Sequence, residues 1–469
     1  MNCSFEGATH PFIPSLEREG KPAGKPARRG ELKWKSMNKL HVLHFFIFFA
    51  FCIVNAQPIL GVDDAVSMAL KNNYDILVAH NDAEVAKVNN TAGNAGMLPT
   101  VAIIGSDNYS LSNIDEQLPG GAPDIKSPDA TTNAFNAGAA LNWTLFDGGK
   151  MFVTKRKLGE IQTLGEIQFK DKVLQTVYNV IAAYYNVVSQ KQTLASIEEV
   201  ISYNKDRVNI GKTSFNAGLS PKTTFLQAQI DLNVFMENAI NQRTVISVAK
   251  RTLNQLLSRD AQTAFDVHDS IAQDFSPDTA RLREKLFSRN TGVLSLQKQV
   301  DIARLGLDES YTLRYPKLSV SAGYDFFRTD NSTGSLLMNR GYGPQIGASV
   351  SIPIYQAGAI SRQIASAKLA LQSAQYDLES GKQLAYTQMQ NALDEFENQR
   401  QLLAIEKDNT ALAKENLDIS MARLRYGQST SLELRQAEES YEDARTRLIN
   451  IEYNVKIAET KLKQLLADL

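Results

Sequence analysis

The sequence predicts an internally duplicated α+β membrane protein, in which strand hairpins enter a lipid bilayer and long helices extend away from it. The first observation is a repeated order: a proline, two alternating strands, then a proline-free helical run with a glycine turn. Its landmarks recur at a constant spacing, because Trp143 stands as far from Ile352 as Gly218 does from Gly427. The other two observations are the length of the helical runs and the apolar faces of the strands. Neither strands nor helices could bury their apolar surfaces alone.

We divide the chain into four parts. Residues 1–56 form an N-terminal extension and signal peptide, and residues 57–257 form the first repeat of helix, strand hairpin, long helix and return helix. Residues 258–279 are a linker or equatorial segment, and residues 280–469 form the second repeat.

The leader has the three parts of a secretory signal. A basic start at Met37 to Leu40 precedes the apolar run Val42 to Val54, and Val54-Asn55-Ala56 is a small-residue cleavage site. Met1 and Met37 both remain candidate start residues. The apolar run of about 13 residues is too short to span a bilayer as a helix. No other window of the chain approaches the required length, so we expect insertion by strands.

Composition excludes several function classes. The formal net charge is −1, and no basic excess indicates nucleic acid as a partner. Cys3 and Cys52 both lie in the leader, so the mature chain has no thiol chemistry. His80 and His268 have no metal-ligand partner at helical spacing. We expect no cofactor, no metal site and no catalysis, because no phosphate-binding glycine loop or acid/base constellation is present.

Three of the four predicted strands alternate cleanly between apolar and small or polar residues. Runs of about 10 residues with this period are typical of transmembrane β-barrels. Trp143, Tyr324, Tyr342 and Tyr355 fit aromatic girdles. A soluble β-sandwich also alternates and is the alternative. Four strands cannot close a membrane barrel, whose smallest form has about eight, so the chain must oligomerise.

Two segments between the strands are predicted to be exterior loops. They are Ser112 to Thr132 and Arg328 to Tyr342, and both are rich in proline or glycine.

The helical runs predict helices far longer than those of globular domains. One begins near Ala359 and ends near Arg423, which corresponds to about 100 Å. Its apolar positions follow a heptad seam, through Ile360, Ile364, Ala367, Leu371, Ala374 and Leu378. An ordinary dimeric coiled coil or a spectrin-like bundle is the alternative for the helices alone. The inserted strand hairpins favour the membrane protein.

Each long helix is predicted to end at a glycine turn. Gly218 and Gly427 supply the left-handed residue that ends a helix, and Ser220 or Ser429 is the expected cap of the next helix.

With these features the chain resembles the TolC-type outer-membrane efflux protein family over about Leu60 to Leu469. The most specific elements are the hairpin ends Leu145-Phe146-Asp147-Gly148-Gly149 and Ile354-Tyr355-Gln356-Ala357-Gly358, together with the two glycine turns. The resemblance implies a homotrimer, in which three chains pool four strands each into a twelve-stranded transmembrane barrel. It also implies a long α-helical barrel that crosses the periplasm.

The resemblance further implies a set of functional residues. The helix tips would dock a periplasmic adaptor that is coupled to an inner-membrane pump, and they comprise Ala217, Gly218, Leu219, Ser220, Tyr426, Gly427, Gln428, Ser429 and Thr430. The gate would lie just beyond the tips, at Glu433, Gln436 and Thr224. Gln436 stands where the family has a second carboxylate.

Two functions from different classes follow. The first is a passive exit duct in the outer membrane of a Gram-negative cell, serving a tripartite efflux or type I secretion system and contacting outer-membrane lipid. The alternative is a structural or adhesive envelope protein that uses its helices as a spacer. Single-channel conductance separates the two.

Overall fold

The computed structural model describes residues 59–117, 120, 124–273, 275–334 and 336–469, so the predicted leader lies outside the described residues. The elements in chain order are β1 (Ile59–Leu60), α1 (Val62–Asn72), α2 (Tyr74–Asn89), β2 (Thr100–Glu116), β3 (Ile125–Asp147), α3 (Lys150–Asn216), α4 (Lys222–Leu256), β4 (Asp266–Val267), a 3₁₀ turn (Thr279–Arg281), α5 (Leu282–Arg289), α6 (Thr291–Thr312), β5 (Lys317–Asn331), β6 (Met338–Ser351), α7 (Ala359–Arg425) and α8 (Ser431–Leu465).

Four long strands form one antiparallel sheet in the order β2-β3-β5-β6. The two hairpins meet at β3 and β5, where Ala137 lies opposite Phe326. Strands β2 and β6 are the edges, and neither has a second partner within the described chain. The coarse prediction of an α+β chain with four long strands is therefore confirmed.

The strand ends differ from the prediction. In the first hairpin β2 continues to Glu116 and β3 begins at Ile125. In the second hairpin β5 continues to Asn331 and β6 begins at Met338. The predicted exterior loops are therefore largely strand. The backbone ladder needs only paired N–H and C=O groups, so it continues through polar residues where the alternation fades. β6 ends at Ser351, two residues before Pro353, which has no N–H to donate.

The register separates the sheet into two faces. One face carries Val101, Leu141, Ala322 and Ile346 in one row, followed by Ile103, Ala139 and Tyr324 in the next. The other carries mainly small and polar side chains, with Ile104 and Phe327 as large apolar exceptions. Trp143 belongs to the apolar face, and its indole N–H donates to the Met97 carbonyl at 3.0 Å. This division is the one that the alternation predicts.

The helices have matched lengths in the two halves of the chain. α3 and α7 have 67 residues each, and α4 and α8 have 35 each. At 1.5 Å per residue the longer pair spans about 100 Å. The predicted seam of α7 is confirmed, since Ile364 and Leu378 are buried and the seam residues between them are partly buried.

Four clusters of buried apolar residues hold the described helices together, and one of them joins α7 to α8 through Phe396, Leu403 and Leu448. The first surrounds Tyr184 of α3 and includes Leu253 and Phe265, and the Tyr184 hydroxyl donates to the Leu60 carbonyl at 3.0 Å. The second joins α5, α6, α7 and α8. The third joins α3 to α7 and α8 near the turns, through Val200, Leu417 and Leu434.

Within the described residues, none of the helices has both the length and the apolar content for crossing a membrane.

The strands and long helices are joined at two sharp elbows. In the first, Gly148 and Gly149 have φ of 76° and 87°, and the Asp147 carboxylate accepts a hydrogen bond from the Met151 N–H at 3.1 Å. In the second, the equivalent residues Ala357 and Gly358 have φ of 49° and 75°. All four residues thus have a left-handed backbone conformation, and one of them, Ala357, is not glycine.

Candidate functional site

The two tips have the same backbone construction. At the first, Gly218 has φ of 73° and the Leu219 N–H donates to the Ser214 carbonyl at 2.8 Å. At the second, Gly427 has φ of 71° and the Gln428 N–H donates to the Arg423 carbonyl at 2.8 Å. A hydrogen bond that spans a left-handed glycine in this way satisfies the last carbonyls of a helix. Both glycines therefore adopt the conformation that the sequence predicts.

The caps after the turns are not the predicted serines. Pro221 is the N-cap of α4, and Thr430 is the N-cap of α8, where its hydroxyl oxygen accepts from the Glu433 N–H at 3.2 Å. The Ser429 hydroxyl instead donates to the Glu433 carboxylate at 2.7 Å. The helix begins one residue later than expected, because Thr430 has the extended backbone of a cap and its hydroxyl is in reach of the first turn.

The tip residues present apolar side chains to solvent. Leu219 is 82% exposed and Tyr426 is 81% exposed, and Leu432 just beyond the second turn is also exposed. A side chain built at Gly218 or Gly427 would meet nothing within 4 Å. Both tips are therefore open surfaces within one protomer.

The gate candidates do not lie in one place in the protomer. Thr224 is half-buried. Together with Leu432 and Arg435 it lines a groove of about 330 Å³ between the first helix pair, α3 and α4, and the second pair, α7 and α8. Glu433 and Gln436 are exposed, one turn apart on α8, and neither lines that groove. The Glu433 carboxylate is already a partner of Ser429.

A buried ionic cluster, which the sequence interpretation missed, lies above the tips. We call Arg207, Asp231, Arg435 and Glu438 the tip ion cluster. Arg207 donates to Glu438 at 2.8 Å and to Asp231 at 2.5 Å, and Arg435 donates to Asp231 at 2.6 Å. The side chains of Arg207 and Glu438 are each only 2% exposed. The cluster joins α3, α4 and α8, and so connects the first helix pair to the second.

Burial is the main influence on the protonation of Glu438 in this cluster. It raises the pKa of Glu438 to about 7, and the Asp231 carboxylate acts in the same direction, while Arg207 and Arg435 act against them.

The sequence does contain one indication of the tip ion cluster. Arg207 follows Val200 and Asn204 at the 4,3 spacing of the buried face of α3, where a charge is unusual.

A second set of contacts joins α3 to α7 and α8. Lys414 of α7 pairs with Glu199 of α3, and its ammonium lies 4.6 Å from the centre of the Tyr203 ring. The Tyr441 hydroxyl donates to Glu199 at 2.7 Å, and burial together with Glu199 raises the pKa of Tyr441 to about 12. Arg425 also pairs with Asp206 at 2.5 Å, close to the second tip. Polar contacts therefore connect α3 to α7 and α8 in the part of these helices near the tips.

Among the described residues, no group of histidine, cysteine and carboxylate side chains is arranged to hold a metal ion.

Comparison with known proteins identifies the family. The family model described as outer membrane efflux protein matches residues 65–259 and 282–468. The chain is 23% identical over 403 residues to outer membrane protein TolC of Escherichia coli (strain K12), covering 83% of this chain and 78% of that protein. It is 19% identical over 412 residues to the proteases secretion protein PrtF of Dickeya chrysanthemi, covering 84% and 85%.

Among solved structures, the Campylobacter jejuni CmeC outer membrane channel superposes with a TM-score of 0.72 at 18% identity, covering 87% of this chain and 85% of that one. At this identity the superposition shows the fold, and the fold agrees with the family match. The resemblance noted in the sequence is thus confirmed, and the chain belongs to the outer membrane efflux protein family.

Proposed function

We propose that three copies of this chain close a twelve-stranded transmembrane barrel, and that their helices continue it as a tube across the periplasm. The observation that carries this proposal is the open sheet, whose edges β2 and β6 both lack a partner in the described protomer. Unpaired edges are not tolerated in lipid. Pairing β6 of one copy with β2 of the next removes every edge.

The helices support the same assembly. α7 carries an exposed apolar stripe at seven-residue spacing, formed by Ile405, Leu412 and Ile419. α4 carries another, formed by Leu226, Ile230 and Val234. Two different faces that meet between copies make a head-to-tail interface, which gives a ring when the rotation between copies closes.

The chain is an outer-membrane efflux protein that acts as a passive exit duct, and it is not an enzyme. PrtF is a proteases secretion protein, and CmeC is an outer membrane channel. These relatives favour export by an efflux or a type I secretion system. We propose that the tips dock a periplasmic adaptor, and that the inner-membrane pump is engaged through it. Conductance of the purified protein in a planar bilayer tests the duct, and its absence would favour the spacer function.

The first prediction concerns the trimer. Mass measurement of the purified mature protein in mild detergent is expected to give three chains, because the open sheet and both helical stripes are covered only in an assembly. Leu412→Asp places a charge in the α7 stripe and is expected to shift the population toward smaller species. A monomer that retains its full β-structure would contradict the proposal.

The second prediction concerns adaptor docking. Leu219→Ser and Tyr426→Ser are expected to weaken adaptor binding about tenfold or more when combined, since exposed apolar side chains often dominate an interface. Both side chains are over 80% exposed, so the fold should not change. Replacing Gly218 and Gly427 by bulky residues is expected to abolish efflux at an unchanged surface level.

Lys205→Ser, an exposed change on α3 above the tip, is the control and should leave binding unchanged. Undiminished export by the tip variants would contradict the docking role.

The third prediction concerns the gate. We propose that Glu433, Gln436 and Thr224 border a constriction at the periplasmic mouth, where three-fold symmetry brings three Glu433 carboxylates near one axis. Acidic rings attract cations in a narrow aqueous throat. Glu433→Gln is therefore expected to lower cation selectivity and to weaken block by multivalent cations. Glu439→Gln on the same helix should do less. Unchanged selectivity in both variants would place the gate elsewhere.

A further inference from the structure

The polar face of the sheet contains a depression that the exit-duct function alone does not require. It has a volume of about 560 Å³ and lies across β2, β3, β5 and β6. Its lining includes Ser106, Asn136, Gly138, Asp325, Phe327 and Gln345. The intervening rows, such as that of Ile103, Ala139 and Tyr324, form the apolar face, so in the proposed barrel this depression faces the water-filled interior.

The charge in this depression is isolated. Five successive rows of the polar face run from the row of Asn142 to the row of Ala134 on β3. Asp325 is the one charged side chain in those five rows. Its carboxylate accepts a hydrogen bond from the Gln345 amide, and no cationic side chain of these rows neutralises it.

Glycines shape the depression. A side chain at Gly138 would have its Cβ 2.2 Å from an Asp325 carboxylate oxygen, so only glycine leaves room for the carboxylate there. The Phe327 ring lies over Gly341, where a Cβ would stand 2.6 Å from the ring. Gly323 and Gly343 also belong to this face. The result is a shallow hollow with an acidic group on one row and an aromatic ring on the next.

Phe327 is unusual for its position. It is 40% exposed, and Ile104 is the other large apolar side chain in those five rows, while the opposite face has its own aromatic residues. An aromatic ring beside an isolated carboxylate matches an organic cation, because the ring face attracts cations and contacts apolar groups. The Asn136 and Ser106 side chains add hydrogen-bonding groups at the edge.

We propose that this depression is a transit site for organic cations with an apolar or aromatic part. Asp325 attracts the cationic group, and Phe327 contacts the apolar part. In water the attraction between two charges is weak, so the site holds its ligand briefly. A duct requires binding that is favourable enough to enter and weak enough to leave. This inference rests on the proposed function, since the trimeric barrel places three copies of the site around one lumen.

The test uses the full mature protein in planar bilayers at low salt, with benzyltrimethylammonium added on the side of the strand hairpin tips. We expect the concentration for half-maximal block to rise about fivefold in Asp325→Asn, and by a smaller factor in Phe327→Leu. Asp325→Glu retains the charge and should stay close to the wild type. Ser332→Ala, at a residue outside the depression, is the control, and benzyl alcohol is the neutral probe that should not distinguish the variants.

Equal block of the wild type and Asp325→Asn, with unchanged unitary conductance, would overturn the transit site and leave the duct intact. A wild-type trimer that does not conduct would overturn the duct itself, and the transit site with it. Mass measurement of each variant in detergent establishes that the trimer is retained.

Discussion

Arg207→Ala is expected to loosen the periplasmic end of the helices, because it leaves Glu438 buried without its partner at 2.8 Å. Removing one member of a buried ion pair typically costs about 3–5 kcal/mol. The loss should appear as faster amide hydrogen exchange in the first three turns of α8 and around residue 207 of α3. The amides of the apolar cluster around Tyr184, farther from the tips, should keep their protection against exchange.

Arg243→Ala is the matched control for this prediction. Arg243 pairs with Glu198 at 2.9 Å, but the two side chains are 60% and 50% exposed. Exposed pairs contribute about 0–1 kcal/mol, so exchange should hardly change. Equal protection in the Arg207 and Arg243 variants would show that the tip ion cluster does not hold the helix pairs together.

The same cluster predicts a dependence on pH. The folded pKa of Glu438, about 7, lies above its ordinary value of 4.5, so the folded state binds more protons between these values. Its contribution to stability is complete below pH 4.5 and is lost as the pH rises through about 7. Protection factors in α8, corrected for intrinsic exchange, should therefore fall across this window. Glu438→Gln should flatten the profile, and an unchanged slope in that variant would assign the titration to another group.

The sequence was sufficient for the elements but not for this cluster. Heptad spacing predicts α7, because a packed helix places apolar residues against its neighbour at regular intervals along its length. The partners of Arg207 are on two other helices, Asp231 on α4 and Glu438 on α8, and no local spacing connects them. A single charge in a helical run is usually solvated. Only its place on the buried stripe with Val200 and Asn204 distinguished it.

The sheet shows the same limit in another form. Alternation predicted which side chains share a face of the sheet, since the side-chain period of a strand is two. It did not predict where the strands end, because polar stretches such as Thr131 to Asn133 can continue the ladder without any apolar residue. The cap at Thr430 could not be chosen from the sequence either, because adjacent hydroxyl residues satisfy the same rule.

The first elbow gives the other large expected effect. A Cβ at Gly148 would lie 2.5 Å from the Thr312 carbonyl oxygen and 2.8 Å from the Tyr315 Cβ. The residue also has φ of 76°, a conformation that costs a non-glycine residue about 1–2 kcal/mol. Overpacking against backbone adds about 1–3 kcal/mol. Gly148→Ala is therefore expected to destabilise the junction of β3, α3 and α6 by about 3 kcal/mol.

The duplication supplies the control, since Ala357 occupies the equivalent position of the second elbow with φ of 49°. Ala357→Gly relieves backbone strain but adds freedom to the unfolded chain, so its net effect should lie within about 1 kcal/mol of zero. Thermal unfolding followed by circular dichroism, with hydrogen exchange at both elbows, measures the two variants. The first elbow should lose protection in Gly148→Ala while the second stays unchanged. If Gly148→Ala melts with the wild type, the elbow tolerates a shift of α6, and close packing there does not fix the angle between strand and helix.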